Sequence, residues 1–572
     1  MKKLLVYMKS YKKQCVLAPL FKMLEACFEL FIPLVVASII DVGIKNNDTS
    51  YIGWCCVIMV ALGAIGLSCT LFAQYFSAYC AVGFVSAIKQ GLFKHIGSLS
   101  YTEIDTLGTS TMITRMTSDI NQLQSGVNLT LRLFMRSPVI VFGAMIMAFI
   151  VDPKASLVFT VTIPLLAAVV FGIILSTIPL YKKVQSKVDN VLHTSREGLT
   201  GVRVIRAFGL EQREKDKFHA QADELNRAQV FVGRISAIMN PATYAIVNIS
   251  IAVLIWRGAI RVDTGDLTQG QVIALYNYMS QILVELIKLA NLIVTITKAV
   301  ASANRIQAVF EVVPSQESGS IKEGKSNSYA VEFKNACLRY KGSPEYTLEN
   351  ISFTAENGEC IGIIGGTGSG KTSLVNLIGR FYDCESGQVL IDGYEAKEYD
   401  LEYLREQIGI VPQKAVLFHG TVRDNLKWGN ANATDEEILS AIDAAQARDV
   451  LNSKSEGLDY LIEEGGKNLS GGQRQRYTIA RALVKRPKIL ILDDSSSALD
   501  YATDAKLRQA IANIDFNPTT FIVSQRTASI MGCDKIIVLD DGKIVGMGKH
   551  EELLKSCLVY SEIYNSQFKE EV

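Results

Sequence analysis

The sequence predicts a helical, membrane-embedded half followed by an α/β half built on a buried parallel sheet. Three observations carry this. Hydrophobic residues make up 49% of the chain and concentrate before residue 300, whereas charge concentrates after it. Tyr51 to Ile88 contains no charge at all, and no cytosolic core needs an uncharged run that long. In the second half, apolar β-formers run into a glycine loop after Cys360–Ile364 and into two carboxylates after Ile489–Leu492. Buried parallel strands end at a site edge in this way.

At 572 residues the chain is too long for one core. We expect a transmembrane domain over 1–313, a Ser-, Gly-, Lys- and Glu-rich linker over 314–328, and a second domain over 329–572. The net charge of +1 exerts no overall pull toward nucleic acid, so no nucleic-acid partner is expected. The 11 cysteines are scattered, without CxxC spacing, which argues against a metal or disulfide framework. Cys55 and Cys56 read as small apolar residues inside the membrane.

Met1 to Lys13 sets Lys2, Lys3, Lys9, Lys12 and Lys13 around Leu4, Leu5 and Met8. Its apolar core is too short for a signal peptide, and no small-residue cleavage site follows. A short amphipathic helix on the inner membrane surface fits better. Spans are expected near 16–41, 51–85, 128–151, 155–181, 235–257 and 267–290, because each run approaches or exceeds the roughly 20 residues that cross a bilayer. Tyr51 to Ile88 is longer than one bilayer, so its helix is expected to continue into water.

Lys and Arg crowd the linker from Lys182 to Arg234, and Lys89, Lys94, Arg115, Arg132 and Arg136 mark the one after the second span. The other loops are short and poor in base. The N-terminus, both long linkers and the second domain are therefore cytosolic, and the protein is expected to be multi-pass in the plasma (inner) membrane. Asp152-Pro153-Lys154 is a hairpin turn between two spans. Ile205 to Phe218, and more loosely Ile104 to Ile120, alternate apolar and charged residues at helical spacing. Long helices tipped by short crossing helices would fit, as would a solvated hairpin without a partner.

Glu25, Glu29, Glu285 and Lys288 fall inside or beside apolar runs. Charges at membrane depth are costly and usually face a cavity or a partner. Two readings stand: Glu29 lines a translocation pathway, or these residues sit at span ends in water or headgroups.

In the second domain, Gly365, Gly366, Thr367, Gly368, Ser369, Gly370, Lys371 and Thr372 form a glycine loop between a strand and a helix. Backbone N–H groups of such a loop turn toward phosphates, Lys371 reaches the β- and γ-phosphates, and the Thr372 hydroxyl ligates Mg²⁺. A strand-terminal Asp493 downstream holds the same ion. The half is thus an α/β P-loop NTPase domain that takes ATP and Mg²⁺. Tyr340 lies shortly before the loop strand, where an aromatic stacks on adenine; a half-buried strand tyrosine is the alternative. Gln413 follows a short strand, Ile408–Val411, and can reach Mg²⁺ or the attacking water. Leu469, Ser470, Gly471, Gly472 and Gln473 precede a helix and offer a hydroxyl and bare N–H groups at its N-terminus. One nucleotide does not need two phosphate sites, so this second one serves a nucleotide held by another chain.

In the order glycine loop, Gln413, LSGGQ, ILILDD and SSALD, the chain resembles an ATP-binding cassette exporter half-transporter over its whole length. The resemblance implies two nucleotide domains sandwiching two ATPs head to tail, each between one chain's glycine loop and the other's LSGGQ. It implies that Asp500 ends the loop crossing between sites, and that Ile462 to Lys467 and the cytosolic tips couple ATP closure to the spans. Two positions depart from the family pattern. The residue after Asp493 is usually Glu, the general base; here it is Asp494. The switch histidine of Ser-His-Arg is replaced in Ser524-Gln525-Arg526. Removing a methylene retracts the carboxylate by roughly one C–C bond, and a shift of about 1 Å costs on the order of 10²-fold in rate. Gln hydrogen-bonds a γ-phosphate but takes no proton at neutral pH.

The chain is therefore expected to export small amphipathic molecules as half of a heterodimer resembling the bacterial multidrug type. Its own site would be slow and its LSGGQ intact, and its partner would be a second half-transporter bearing Glu and His. The alternatives are a homodimeric lipid or peptide exporter, and an ATP-gated regulatory or channel-like protein.

Overall fold

The computed structural model describes residues 3–325 and 328–568. Met1 and Lys2 of the expected surface helix, Ser326 and Asn327 of the expected linker, and residues 569–572 lie outside them. The chain divides into two compact units, Met1–Gly97 with Ser110–Val312, and Ser98–Thr109 with Val313–Val572. Ser98–Thr109, inside the stretch expected as the transmembrane domain, groups with the second unit.

The first unit is helical. Among the described residues, six helices are long and apolar enough to cross a membrane: Leu4–Ile44, Thr49–Gly97, Thr109–Val151, Pro153–Thr200, Glu211–Asp263 and Gln269–Phe310. Thr49–Gly97, at 49 residues, is about 70 Å long. That is over twice the ~30 Å hydrocarbon core, so the helix continues well beyond it. The N-terminal piece Leu4–Tyr11 is a 3₁₀ run, set off from the next helix by Tyr11 at φ −113°, ψ 18°. Asp152 makes the tightest connection. Extended at φ −159°, it accepts a hydrogen bond from the Ala155 N–H at 2.8 Å, and Pro153 takes the first helical position. Arg261 pairs with the same carboxylate.

The two cytosolic stretches are more broken than their periodicity suggests. Gly108 (φ 75°) ends Tyr101–Leu107, and Gly209 (φ 62°) separates Val202–Ala207 from Glu211–Ala237. Neither Ile104–Ile120 nor Ile205–Phe218 is one helix, because a left-handed glycine ends each short piece. In the core of this unit, Phe159, Leu166, Tyr278, Met279 and Ile282 are fully buried, and the Tyr278 hydroxyl donates to Leu30 O at 2.7 Å.

Among the described residues, the second unit carries twelve strands. They are β1 (Tyr329–Leu338), β2 (Leu348–Glu356), β3 (Cys360–Gly365), β4 (Ser386–Ile391), β5 (Tyr394–Glu395), β6 (Ile408–Val411), β7 (Gly420–Thr421), β8 (Leu461–Ile462), β9 (Ile489–Asp493), β10 (Thr519–Val523), β11 (Lys535–Asp540) and β12 (Lys543–Gly548). One sheet runs β2-β1-β4-β5 and is antiparallel; the larger runs β12-β11-β3-β10-β9-β6. In the larger sheet all neighbours are parallel except β12. Both of its faces are covered. Along β9, Leu490 and Leu492 join one apolar cluster while Ile489 and Ile491 join the other. That is the two-sided burial that makes a parallel strand read as an unbroken apolar run.

Candidate active site

Register places the site. Val523 of β10 pairs with Ile363 of β3 on one side and Asp493 of β9 on the other, and Val411 of β6 pairs with Leu492. The four adjacent strands β3, β10, β9 and β6 therefore end together. Their C-terminal edge delivers the glycine loop, Gln525, Asp493 with Asp494, and Gln413, in that spatial order. Ligands bind at this edge of open parallel sheets. A cavity of about 220 Å³ lies there, lined by Gly368, Lys371, Gln413, Asp493, Asp494 and Gln525 among others.

The glycine loop needs its glycines. Gly368 and Gly370 hold φ of 85° and 94°, and a Cβ on Gly370 would meet Thr347 O at 2.9 Å. Lys371 Nζ donates to Gly365 O at 2.9 Å and Gly366 O at 2.6 Å, so the loop folds around its own ammonium. Burial pushes Lys371 below its ordinary range, against the pull of Asp494 and Asp493. The Thr372 hydroxyl lies 3.0 and 3.1 Å from the two oxygens of Asp493. Hydroxyl, carboxylate and the nearby Gln413 amide form a hard oxygen donor set that suits Mg²⁺. Burial raises the Asp493 carboxyl, and neighbouring Asp494 adds to that rise. Burial raises Asp494 as well.

Asp494 occupies the left-handed region at φ 45°, tolerated better by Asp than by most residues. Its N–H donates to Val523 O at 2.9 Å, and its Oδ2 accepts from Gln413 Nε2 at 3.3 Å. Tyr340 does not line the cavity. It is half-buried, donates or accepts at 2.8 Å with the Ser373 hydroxyl, and meets Tyr382 edge-on at 5.0 Å. Thr347 and Ser524 do line it. Neither was singled out from the sequence; Ser524 adjoins Gln525, and Thr347 carries no motif signal.

Leu469–Gln473 and Asp500 lie apart from this cavity. Ser470 caps the helix Gly471–Val484 in a reciprocal box: its Oγ accepts from Gln473 N at 3.3 Å, and Gln473 Oε1 accepts from Ser470 N at 3.0 Å. Leu469 is buried beneath. Asp500 caps the helix Tyr501–Ala512, accepting from Thr503 N at 2.7 Å. Within Ile462–Lys467, Gly465 and Gly466 take φ of 73° and 67°.

Ser98–Thr109 packs within this unit. Tyr101 lies 4.8 Å from the Phe381 ring, and the Tyr382 hydroxyl donates to Asp105 at 2.6 Å. The solvated-hairpin alternative therefore fails for this tip.

In the helical unit, Arg136 gathers the carboxylates that fall inside or beside the apolar runs. It bonds Glu285 at 2.5 Å and Glu29 at 2.7 Å, and Glu25 lies 3.7 Å away. Lys288 meets Glu285 at 2.8 Å, and Lys22 pairs with Glu25. The side chains of Glu285 and Glu25 are 4% and 15% exposed. For these two the span-end reading gives way to burial, because one guanidinium supplies enough donors to hold several carboxylates.

Comparison with known proteins adds the following. The family model described as ABC transporter transmembrane region matches residues 15–286, and that described as ABC transporter matches residues 348–497. The uncharacterized ABC transporter ATP-binding protein YfiB of Bacillus subtilis is 34% identical over 572 residues, 100% of this chain and 99% of its own length. A similar uncharacterized protein of Mycobacterium tuberculosis is 34% identical over 566 residues, 98% of this chain and 97% of its own. An ATP-dependent lipid A-core flippase of Hahella chejuensis is 31% identical over 512 residues, 89% of this chain and 87% of its own. The solved structure of a bacterial Atm1-family ABC exporter with ATP bound shares the fold. Its TM-score is 0.80 at 23% identity, covering 98% of this chain and 99% of that one.

Proposed function

This chain belongs to the ABC transporter family, and from that premise we propose that it exports amphipathic molecules as one half of a heterodimer. It is a multi-pass membrane protein with a cytosolic ATPase domain that uses ATP with Mg²⁺ to drive transport. In our reading Lys371 and the loop N–H groups hold the phosphates, and Thr372 and Asp493, with Gln413, hold the metal. When bound there, Mg²⁺ would supply neutralisation of the phosphate charge. Asp494 accepts the proton of the attacking water, Gln413 orients that water, and Gln525 hydrogen-bonds the γ-phosphate. Tyr340 stacks on adenine. Leu469–Gln473 completes the partner's site, and Asp500 ends the crossing between sites.

One observation carries the asymmetry. Asp494 stands where the family resemblance implies Glu, held at φ 45° with its backbone tied to Val523. With the backbone tied there, the shorter side chain sets its carboxylate further back than a Glu would. With Gln525 in place of His, this chain's own site holds ATP and hydrolyses it slowly. The partner brings Glu and His, and this chain's LSGGQ serves that faster site.

A second reading is a homodimeric lipid exporter. The lipid A-core flippase relative, 31% identical over 89% of this chain, favours it. The test is phosphate release by the purified chain, alone and with a half-transporter bearing Glu and His. Slow turnover alone and brisk, amphiphile-stimulated turnover together support the heterodimer; brisk turnover alone replaces it with the homodimer.

A further inference from the structure

Beyond the nucleotide site, the helical unit holds six charges in one contact network. Lys22, Arg136 and Lys288 balance Glu25, Glu29 and Glu285. A purely structural cluster in a membrane closes on itself, because open valences there are costly. The centre of this one is closed: Glu285 accepts from Arg136, Lys288 and Ser137. Its two ends are not. Glu29 spends one oxygen on Arg136 and is 36% exposed; Lys288 spends one of three donors on Glu285 and is 42% exposed.

Both ends open into one cavity of about 460 Å³. On the helix of Glu29, Ile32 and Val36 follow at i+3 and i+7, giving an apolar wall. On the facing helix, Asn277, Ser280 and Gln281 precede Lys288 along one stripe. Gln281 Oε1 is buried there without a hydrogen-bond partner among the described residues. The cavity thus offers a carboxylate and an ammonium beside an apolar surface, with the unpaired Gln281 amide oxygen just beneath it, one side-chain rotation from the opening.

We propose that this face recognises an amphiphile whose polar head is a zwitterion, with Glu29 and Gln281 taking its ammonium and Lys288 its phosphate or carboxylate. This deepens the exporter reading above and rests on it. Charge balance selects the class. The network is already neutral, so a ligand of net charge would leave the site carrying an unpaired charge, whereas a zwitterion leaves the sum unchanged. A purely anionic head meets Glu29, and a purely cationic one meets Lys288.

The test measures binding of phosphatidylethanolamine to the full-length chain in detergent by native mass spectrometry, with phosphatidylglycerol and a cationic amphiphile as comparators. The zwitterion is expected to bind best, and Glu29→Gln to weaken it about tenfold while leaving phosphatidylglycerol no weaker. Gln281→Leu, which touches no ion pair, is expected to weaken it several-fold, and it carries the test should Glu29→Gln fail to fold. Competition by water-soluble glycerophosphoethanolamine assigns the site to a soluble zwitterion, and failure to compete assigns it to the lipid; both uphold the head-group chemistry. Equal binding of all three amphiphiles, or a preference unchanged in both variants, overturns the proposal. In that event, ATPase stimulation by any amphiphile still leaves the exporter reading standing, and stimulation by none removes that reading too.

Discussion

Gln413 Nε2 stands 3.3 Å from Asp494 Oδ2, the ends of β6 and β9 bringing together an amide and a carboxylate 81 residues apart. The contact holds the short carboxylate at the sheet edge. If Asp494 is a weak base, Asp494→Asn lowers ATPase of the assembled pair only slightly, and the equivalent change in the partner abolishes it. A lethal Asp494→Asn, read by steady-state phosphate release, sinks the slow-site reading.

Restoring the missing methylene should act in the opposite direction. Asp494→Glu is expected to raise single-turnover hydrolysis at this chain's own site by roughly 10- to 100-fold. Unchanged turnover would move the cause to Gln525.

Protonation of Asp493 sets a pH dependence. Burial holds its folded pKa above the unfolded value, so its contribution to stability is present at low pH and is lost as pH rises through the folded value. Mg²⁺ needs the ionised form. The rise in Tm caused by Mg-ATP should therefore shrink as pH falls from neutrality toward the raised folded value. Thermal unfolding with and without Mg-ATP across that range checks the sign, and Asp493→Asn should flatten the profile.

Arg136 serves three carboxylates, so removing it costs more than removing any one of them. Arg136→Met takes one partner from Glu25 and Glu285, which keep Lys22 and Lys288, and removes the ion pair of Glu29; it is expected to destabilise by about 3–5 kcal/mol. Glu285→Gln leaves the guanidinium two partners and should cost less. Thermal unfolding of the two variants in detergent ranks them, and the reverse order would deny Arg136 its central place.

Tyr382→Phe removes the bond to Asp105 without emptying the aromatic contact. Amide exchange over residues 98–109 should quicken several-fold, and exchange at the glycine loop should not change.

The sheet edge was legible because each of its parts carries a local signature. The glycine loop, Gln413, Asp493 with Asp494, and Gln525 each follow an apolar strand, and parallel pairing makes such ends coincide. Thr347 was illegible, since it reaches the cavity from before β2 with no pattern of its own. The breaks at Gly108 and Gly209 were hidden under side-chain periodicity, which tracks one face of a helix and is blind to backbone sign. Glu285 and Glu25 invited misplacement because the residue that holds them, Arg136, is over a hundred positions away. Only folding brings the charges together.

Ser98–Thr109 has a consequence for biogenesis. These twelve residues leave the ribosome well before Phe381 and Tyr382, a delay on the order of tens of seconds at ordinary elongation rates. Through that interval Tyr101 and Asp105 have no counterparts, and the ATPase unit cannot finish until its early piece is recovered. A soluble fragment beginning at residue 329 would lack that piece altogether and leave the Phe381 surface uncovered. Such a fragment should be stickier than the intact chain, and supplying the 98–109 peptide in trans is a direct way to quiet it.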